Sequence, residues 1–324
     1  MMNRIERTIS VIFAIQVLCS CQASDLWHET LKQAEQEQSK GLNKEALNSY
    51  LLAVKQMQSH DALQKEQIAT LNKCVLLLLQ EKKVELADKY AQQALALAER
   101  SFGPDNIDCM PQWVLQRKVC QAIPDRNRAA ACLDHMIEIQ EKRTGDSPPL
   151  MWLLDEYARG KSQSCGDSFD PDKLRKLVQL REKFDGAETL DTLRARLILA
   201  SALSELGARK EALSIFASSL KLAQAKYPGV IPELALNYSR ALKKNKEGDK
   251  ALPVLKEAYA LAGPGKSFNP VLGPELAAEL GSLLQEQKRT KEAASIYREM
   301  TSTLIQNKNP LRAEFFQLKL KECS

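Results

Sequence analysis

The 324-residue chain is poor in what catalytic and metal sites are built from. It has three histidines, His28, His60 and His135, each in a different stretch. None of its eight cysteines forms a CxxC pair, so metal-ligand spacing is absent and no metal is expected. There is no glycine-rich phosphate loop, no GxSxG and no HExxH. The carboxylates are spread beside lysines, as surface charge would be. These absences point away from an enzyme and from any cofactor. Aromatics are also scarce, at 6%, with 13 glycines and 13 prolines, and β-branched alternation is missing. A chain short of these and rich in Ala, Leu, Lys, Glu and Gln is expected to be all helix. The formal net charge of +5 is small for the length, and no long basic run exists, so nucleic acid is not an expected partner.

No apolar run approaches the roughly 20 residues that cross a bilayer. The longest, residues 8–18, follows Arg4 and Arg7 and reads as a signal-peptide core. Leu18-Cys19-Ser20-Cys21 resembles a bacterial lipobox, with Leu at −3, Ser at −1 and Cys21 at +1; Cys19 at −2 departs from it. The resemblance implies removal of residues 1–20 and lipidation of Cys21. The mature chain would be a membrane-anchored lipoprotein, periplasmic or on the outer membrane or cell surface. Each acyl CH₂ contributes about 0.8 kcal/mol of membrane affinity, so two or three chains anchor stably. An ordinary secretory signal cleaved after Ala23 is the alternative, and both predict export. Export permits disulfides. Cys109 and Cys120 lie about 16 Å apart along one helix at about 1.5 Å per residue and cannot bond. Cys120 and Cys132 flank a helix turn and could meet; the favoured reading is that Cys74, Cys120 and Cys132 are small buried hydrophobes.

What is abundant is a repeat. In residues 84–103, Ala87, Ala91, Ala94 and Ala98 share one helix face, and Gly103-Pro104 ends the helix. A related small–apolar–small pattern recurs at Ala46/Tyr50/Ala53, Ala129/Leu133/Met136, Ala212/Phe216/Ser219, Ala251/Leu255/Ala258 and Ala293/Tyr297/Met300. The spacing is near 42 residues, with one doubled gap filled by Leu174 and Leu177. Each such helix has an upstream partner, the partners being near 68–80, 191–206, 233–244 and 274–287 among others. Turn signals separate the two: Gly41, Pro124-Asp125, Gly207, Gly248-Asp249 and Lys288–Thr290. The expected fold is an all-α solenoid of about seven antiparallel helix pairs over residues 21–308. Residues 309–324 would form a capping helix, with Phe315, Phe316 and Leu318 closing the core.

The pattern resembles the tetratricopeptide repeat (TPR) family. Leu280-Gly281 with Ala293/Tyr297, Leu199-Ala200 with Ala212/Phe216, and Ala34 with Ala46/Tyr50/Ala53 carry the resemblance. The long period and the Phe102–Asn106 ending are similar to the kinesin-light-chain-like subclass. The third and fourth units depart, with Arg117 at a small-residue place and Asp170-Pro171 where Ala is expected. The resemblance implies a superhelix whose first helices line a groove that binds a protein or peptide. Its groove-facing positions here are Asn72, Val114, Lys118, Trp152, Asp155, Arg159, Leu197, Asn237, Arg240, Lys243 and Lys244. Asn237 occupies the family's peptide-clamping place and Asn72 lies one position from it. Lys118, Arg159, Arg240, Lys243 and Lys244 suggest an acidic partner; ordinary solubilising surface is the plainer reading of exposed cations. A cell-envelope assembly lipoprotein or peptidoglycan-associating module is the alternative to a scaffold.

Overall fold

The computed structural model describes residues 26–58, 63–123, 125–162, 170–265 and 268–323. Cys21, the leader and Cys165 lie outside them. The described residues contain fifteen α-helices and no strand. The first, α1, covers residues 26–39. It is followed by α2 (Asn43–Met57), α3 (Gln64–Gln80), α4 (Val84–Phe102), α5 (Met110–Ala122), α6 (Arg126–Thr144), α7 (Pro148–Ser162) and α8 (Pro171–Phe184). Then come α9 (Leu190–Glu205), α10 (Arg209–Lys226), α11 (Ile231–Lys244), α12 (Gly248–Ala262), α13 (Leu272–Glu286), α14 (Thr290–Gln306) and α15 (Pro310–Lys321). This is the expected α-solenoid of seven pairs and a final helix. The chain divides into two compact units, Met1–Leu153 and Leu154–Ser324.

In the first unit, α2 to α6 each pack on the next in chain order, and α3 also lies against α5. The alanine stripe of α4 explains the closeness. Ala87, Ala91, Ala94 and Ala98 are all at most 1% exposed, each covered by neighbouring core side chains. Tyr50, fully buried, fills the space such small residues leave in the first pairs. Cys109 caps the end of α4, its thiol donating to the Gly103 carbonyl at 3.3 Å. Trp113 packs beside Ile68, Ala98 and Cys109, its ring 4.4 Å from that of His135.

In the second unit, α8 to α15 pack in sequence, with first helices α9, α11 and α13 adjoining one another. The core joins Leu255, Leu276, Leu280, Tyr297 and Phe316. Asp170-Pro171, which breaks the alanine pattern, is the start of α8: Asp170 caps it through the Asp172 N–H at 2.9 Å, and proline stands where no helical N–H is needed. Leu174 and Leu177 are buried as the pattern expects. The turn between α11 and α12 comes earlier than Gly248-Asp249, because α12 begins at Gly248. Lys246 there takes the left-handed conformation, φ 62°, the role Gly207 plays one pair earlier at φ 85°.

Two expectations are corrected. The capping helix closes the core with Ala313 and Phe316, and the partly buried Leu320 packs beside them. Phe315 and Leu318 are 45% and 55% exposed and Leu311 is 81% exposed, because 313, 316 and 320 fall on one helix face and 311, 315 and 318 on the opposite one. Leu197, expected in the groove, is buried on α9. Cys74, Cys109, Cys120, Cys132 and Cys323 are free thiols, all but Cys323 buried. Burial pushes the Cys74 and Cys132 thiols up to about 12. Among the described residues no helix is long and apolar enough to cross a membrane.

Candidate functional site

Within the first unit α3 lies against α5, and within the second α9, α11 and α13 adjoin one another, so neighbouring first helices share an outward surface inside each unit. In the first unit α3 presents Asn72 and, one turn on, Leu76. Neighbouring α5 presents Val114 and, one turn on, Lys118. Ile107, Met110, Pro111 and Leu115 complete a cleft of ≈ 550 Å³ between the two helices. Leu76 and Val114 stay 44% and 39% exposed beside it. Large apolar side chains left in water on a lining helix cost free energy unless something covers them. Lys118 is exposed, with no ion-pair partner among the described residues.

Asn72 sits at the junction of this cleft with a second one of ≈ 360 Å³, lined by Lys65, Ile68, Ala69, Phe102, Asp108, Pro111 and Gln112. The buried Gln112 amide satisfies both its ends when its nitrogen donates to the Asp108 and Cys109 carbonyls and its oxygen accepts from Asn72 Nδ2 at 3.0 Å. Asn72 Oδ1 has no partner. One arm of the expected backbone clamp is therefore already engaged by α5. Farther along the unit, Trp152 on α7 is 64% exposed.

A network behind the groove fixes α5. Asp88 of α4 accepts from Gln116 Nε2 at 2.8 Å and from Arg128 of α6 at 2.9 and 3.1 Å. Burial pushes the Asp88 carboxyl up, but its bonds to Arg128, Gln116 and Gln92 outweigh that and hold it below the usual range.

The second unit's cations are differently placed. Arg240 and Lys243 face an acidic ladder on α13. Arg240 reaches Glu275 at 3.3 Å and Glu279 at 3.8 Å, and Lys243 reaches Glu279 at 3.0 Å and Glu286 at 3.1 Å. Burial lowers the Lys243 ammonium, yet its bonds to the two glutamates leave it above an ordinary lysine. Arg159 pairs with Asp155 at 3.0 Å, and Asp155 also receives Arg181 at 3.1 Å. Lys244 is exposed, with no ion-pair partner among the described residues, and Asn237 is half-buried. The residues named from the sequence are thus not one site. Asn72, Val114 and Lys118 converge, whereas Arg159, Arg240 and Lys243 are neutralised within the second unit. Leu76, Ile107 and Met110 were missed; Leu76 was findable as the residue one turn beyond Asn72. The α13 ladder was also findable, since Glu275, Glu279 and Glu286 recur at helical spacing. Among the described residues no three His, Cys, Asp or Glu side chains converge as metal ligands.

No family model and no curated protein matches the chain. Several solved structures resemble the chain at low identity. A Podosopora anserina kinesin light chain with nearly identical TPR-like repeats is 17% identical over 60% of this chain and 94% of its own, with a TM-score of 0.45. Naa15/Naa10 bound to HypK-THB is 14% identical over 92% of this chain and 39% of that one, with a TM-score of 0.47. A tetratricopeptide repeat protein from Parabacteroides merdae is 12% identical over 89% of this chain and 98% of its own, with a TM-score of 0.38. No site residue is carried over from any of them.

Proposed function

We propose that the protein is an exported, lipid-anchored scaffold of the tetratricopeptide-repeat type, in its kinesin-light-chain-like long-repeat form. It holds a segment of a partner protein in the groove between α3 and α5. The supporting observation is the exposure of Leu76 and Val114 around an apolar cleft, with unpaired Lys118 at its rim. Apolar anchors supply most of the affinity of such contacts, and a rim charge chooses among partners. Lys118 favours a segment with an acidic residue beside its apolar side chains. Arg240 and Lys243 contribute little to that preference, since Glu275, Glu279 and Glu286 already satisfy them.

The repeat pattern supports the family reading: its 42-residue spacing recurs, and Ala46/Tyr50/Ala53 and Ala293/Tyr297/Met300 are buried. Arg4, Arg7 and Leu18–Cys21 support export and an anchor at Cys21.

Affinity capture from detergent-solubilised envelopes tests the groove. The wild type is compared with Leu76→Glu/Val114→Glu and with Ala96→Glu, an exposed change on α4. The groove variant should lose its partner while the α4 variant keeps it. Equal capture by all three rejects the site. Intact-mass analysis tests the anchor separately: a mature chain that does not begin at an acylated Cys21 rejects it.

A further inference from the structure

From α8 to α14 each helix of the second unit is packed against the next; α15 has no successor among the described residues. A repeat array is ordinarily ended by a polar outer face, which keeps it soluble. Here that face is apolar. Leu311, Phe315 and Leu318 stand exposed, while Ala313, Phe316 and Leu320 on the opposite side join the core. The steps of four and three between the exposed residues are the seam spacing of paired helices, and Glu322 continues the seam by four. The cations along one edge of the seam are occupied: Lys319 pairs with Glu322 at 2.8 Å, and Arg312 donates to the Pro270 carbonyl at 2.8 Å. The other edge carries Glu314 and Lys321, two turns apart. Both are exposed, with no ion-pair partner among the described residues.

We infer that the outer face of α15 is a self-association surface, on which a second copy of this chain docks its own α15 antiparallel about a two-fold axis. A two-fold contact needs a patch that complements itself, and this one does so in two ways. Each apolar row covers the other, Phe315 of one copy packing against Leu318 of the other and the reverse, which removes from water side chains that nothing else covers. When a helix meets its antiparallel copy, each edge faces the same edge in reversed order. Glu314 of one copy then faces Lys321 of the other, twice over. The charges on that edge are opposite and free, so both pairs attract. The opposite edge, which would set cation against cation, has Lys319 and Arg312 already engaged within their own chain. A contact three helical turns long is smaller than the roughly 1,200–2,000 Å² of standard interfaces, so the dimer is weak and concentration-dependent.

Sedimentation equilibrium of the purified full chain, in density-matched detergent and over a range of concentrations, tests it. The wild type should pass from monomer to dimer with no larger species. Phe315→Glu/Leu318→Glu changes only exposed positions, so circular dichroism should be unchanged, and it should stay monomeric where the wild type is dimeric. Glu314→Lys and Lys321→Glu each replace two attractive pairs by two repulsive ones and should weaken the dimer by about tenfold. Glu314→Lys/Lys321→Glu restores both pairs with the charges exchanged and should recover the wild-type affinity. An equimolar mixture of the two single variants should recover it as well, since each supplies the charge the other lacks. The proposal is overturned if the wild type is monomeric throughout, or if it grows into open chains beyond the dimer. It is equally overturned if Phe315→Glu/Leu318→Glu still dimerises, if Lys321→Glu binds as tightly as the wild type, or if the exchanged double variant stays as weak as the single ones.

Discussion

The Tyr297 ring occupies the space a side chain at residue 281 would need: a Cβ on Gly281 would overlap the ring's edge and hydroxyl. Gly281 is buried on α13 and Tyr297 is 1% exposed on α14. Glycine is the condition for the ring's place, and the ring's hydroxyl then reaches Gln285 at 3.3 Å.

Gly281→Ala therefore sets two terms against each other. Helix propensity favours alanine by about 1 kcal/mol. Overpacking against a rigid buried ring costs about 1–3 kcal/mol, and the enclosed ring has no room to yield. Net destabilisation is expected, read as a lower urea midpoint. Gly281→Ala with Tyr297→Leu should recover part of it, which shows that the ring is the cause.

The register of α4 is tested at two neighbouring positions. Ala94→Arg forces a long cation into a contact that is 1% exposed, at a cost of at least 1–3 kcal/mol for overpacking, about that again for the unpaired charge. Gln92→Arg, on the solvent side, removes one exposed hydrogen bond to Asp88 at 2.9 Å and should change stability by no more than about 0.5 kcal/mol. Thermal melts of the two variants check it.

The last helix gives a sharper contrast within two adjacent residues. Phe316 is 2% exposed and Phe315 is 45% exposed. Phe316→Ala should cost about 3–5 kcal/mol, the usual range for a buried ring. Phe315→Ala should cost well under half of that. Denaturant unfolding compares them directly.

The Asp88 network carries a pH dependence. Its carboxyl is held below the usual range in the folded protein, so the unfolded chain takes up the proton first. The contribution is full above the unfolded value of about 3.9 and is lost as pH falls through the lower folded value. Arg128 is 42% exposed, which screens the pair and leaves about 1 kcal/mol. Asp88→Asn should lower stability at pH 7 by about that amount and lose less than the wild type on acidification. Urea unfolding at pH 7 and pH 3 measures both.

The helices were legible because their signals are local. The α4 stripe, Gly103, and the Asn309 cap of α15, bonded to the Arg312 N–H, act within a few residues. So does the period that located α9, α11 and α13 to within a few residues of their ends. What failed needed the third dimension. Arg240 and Lys243 read as free cations because their partners stand on α13, more than thirty residues away. Phe315 and Leu318 read as core because α15 is apolar on two faces, and only packing shows which one is covered. Asn72 was found, yet its engagement by Gln112 is a contact between helices that spacing along one helix does not contain.

The groove is tested most directly by a photo-crosslinking amino acid placed in turn at positions 76, 114 and 96 of the full chain in cells. Adducts to one partner from positions 76 and 114, and none from position 96 on α4, are the expected result. Adducts from position 96 with none from 76 or 114 would contradict the assignment of the α3–α5 groove as the binding surface.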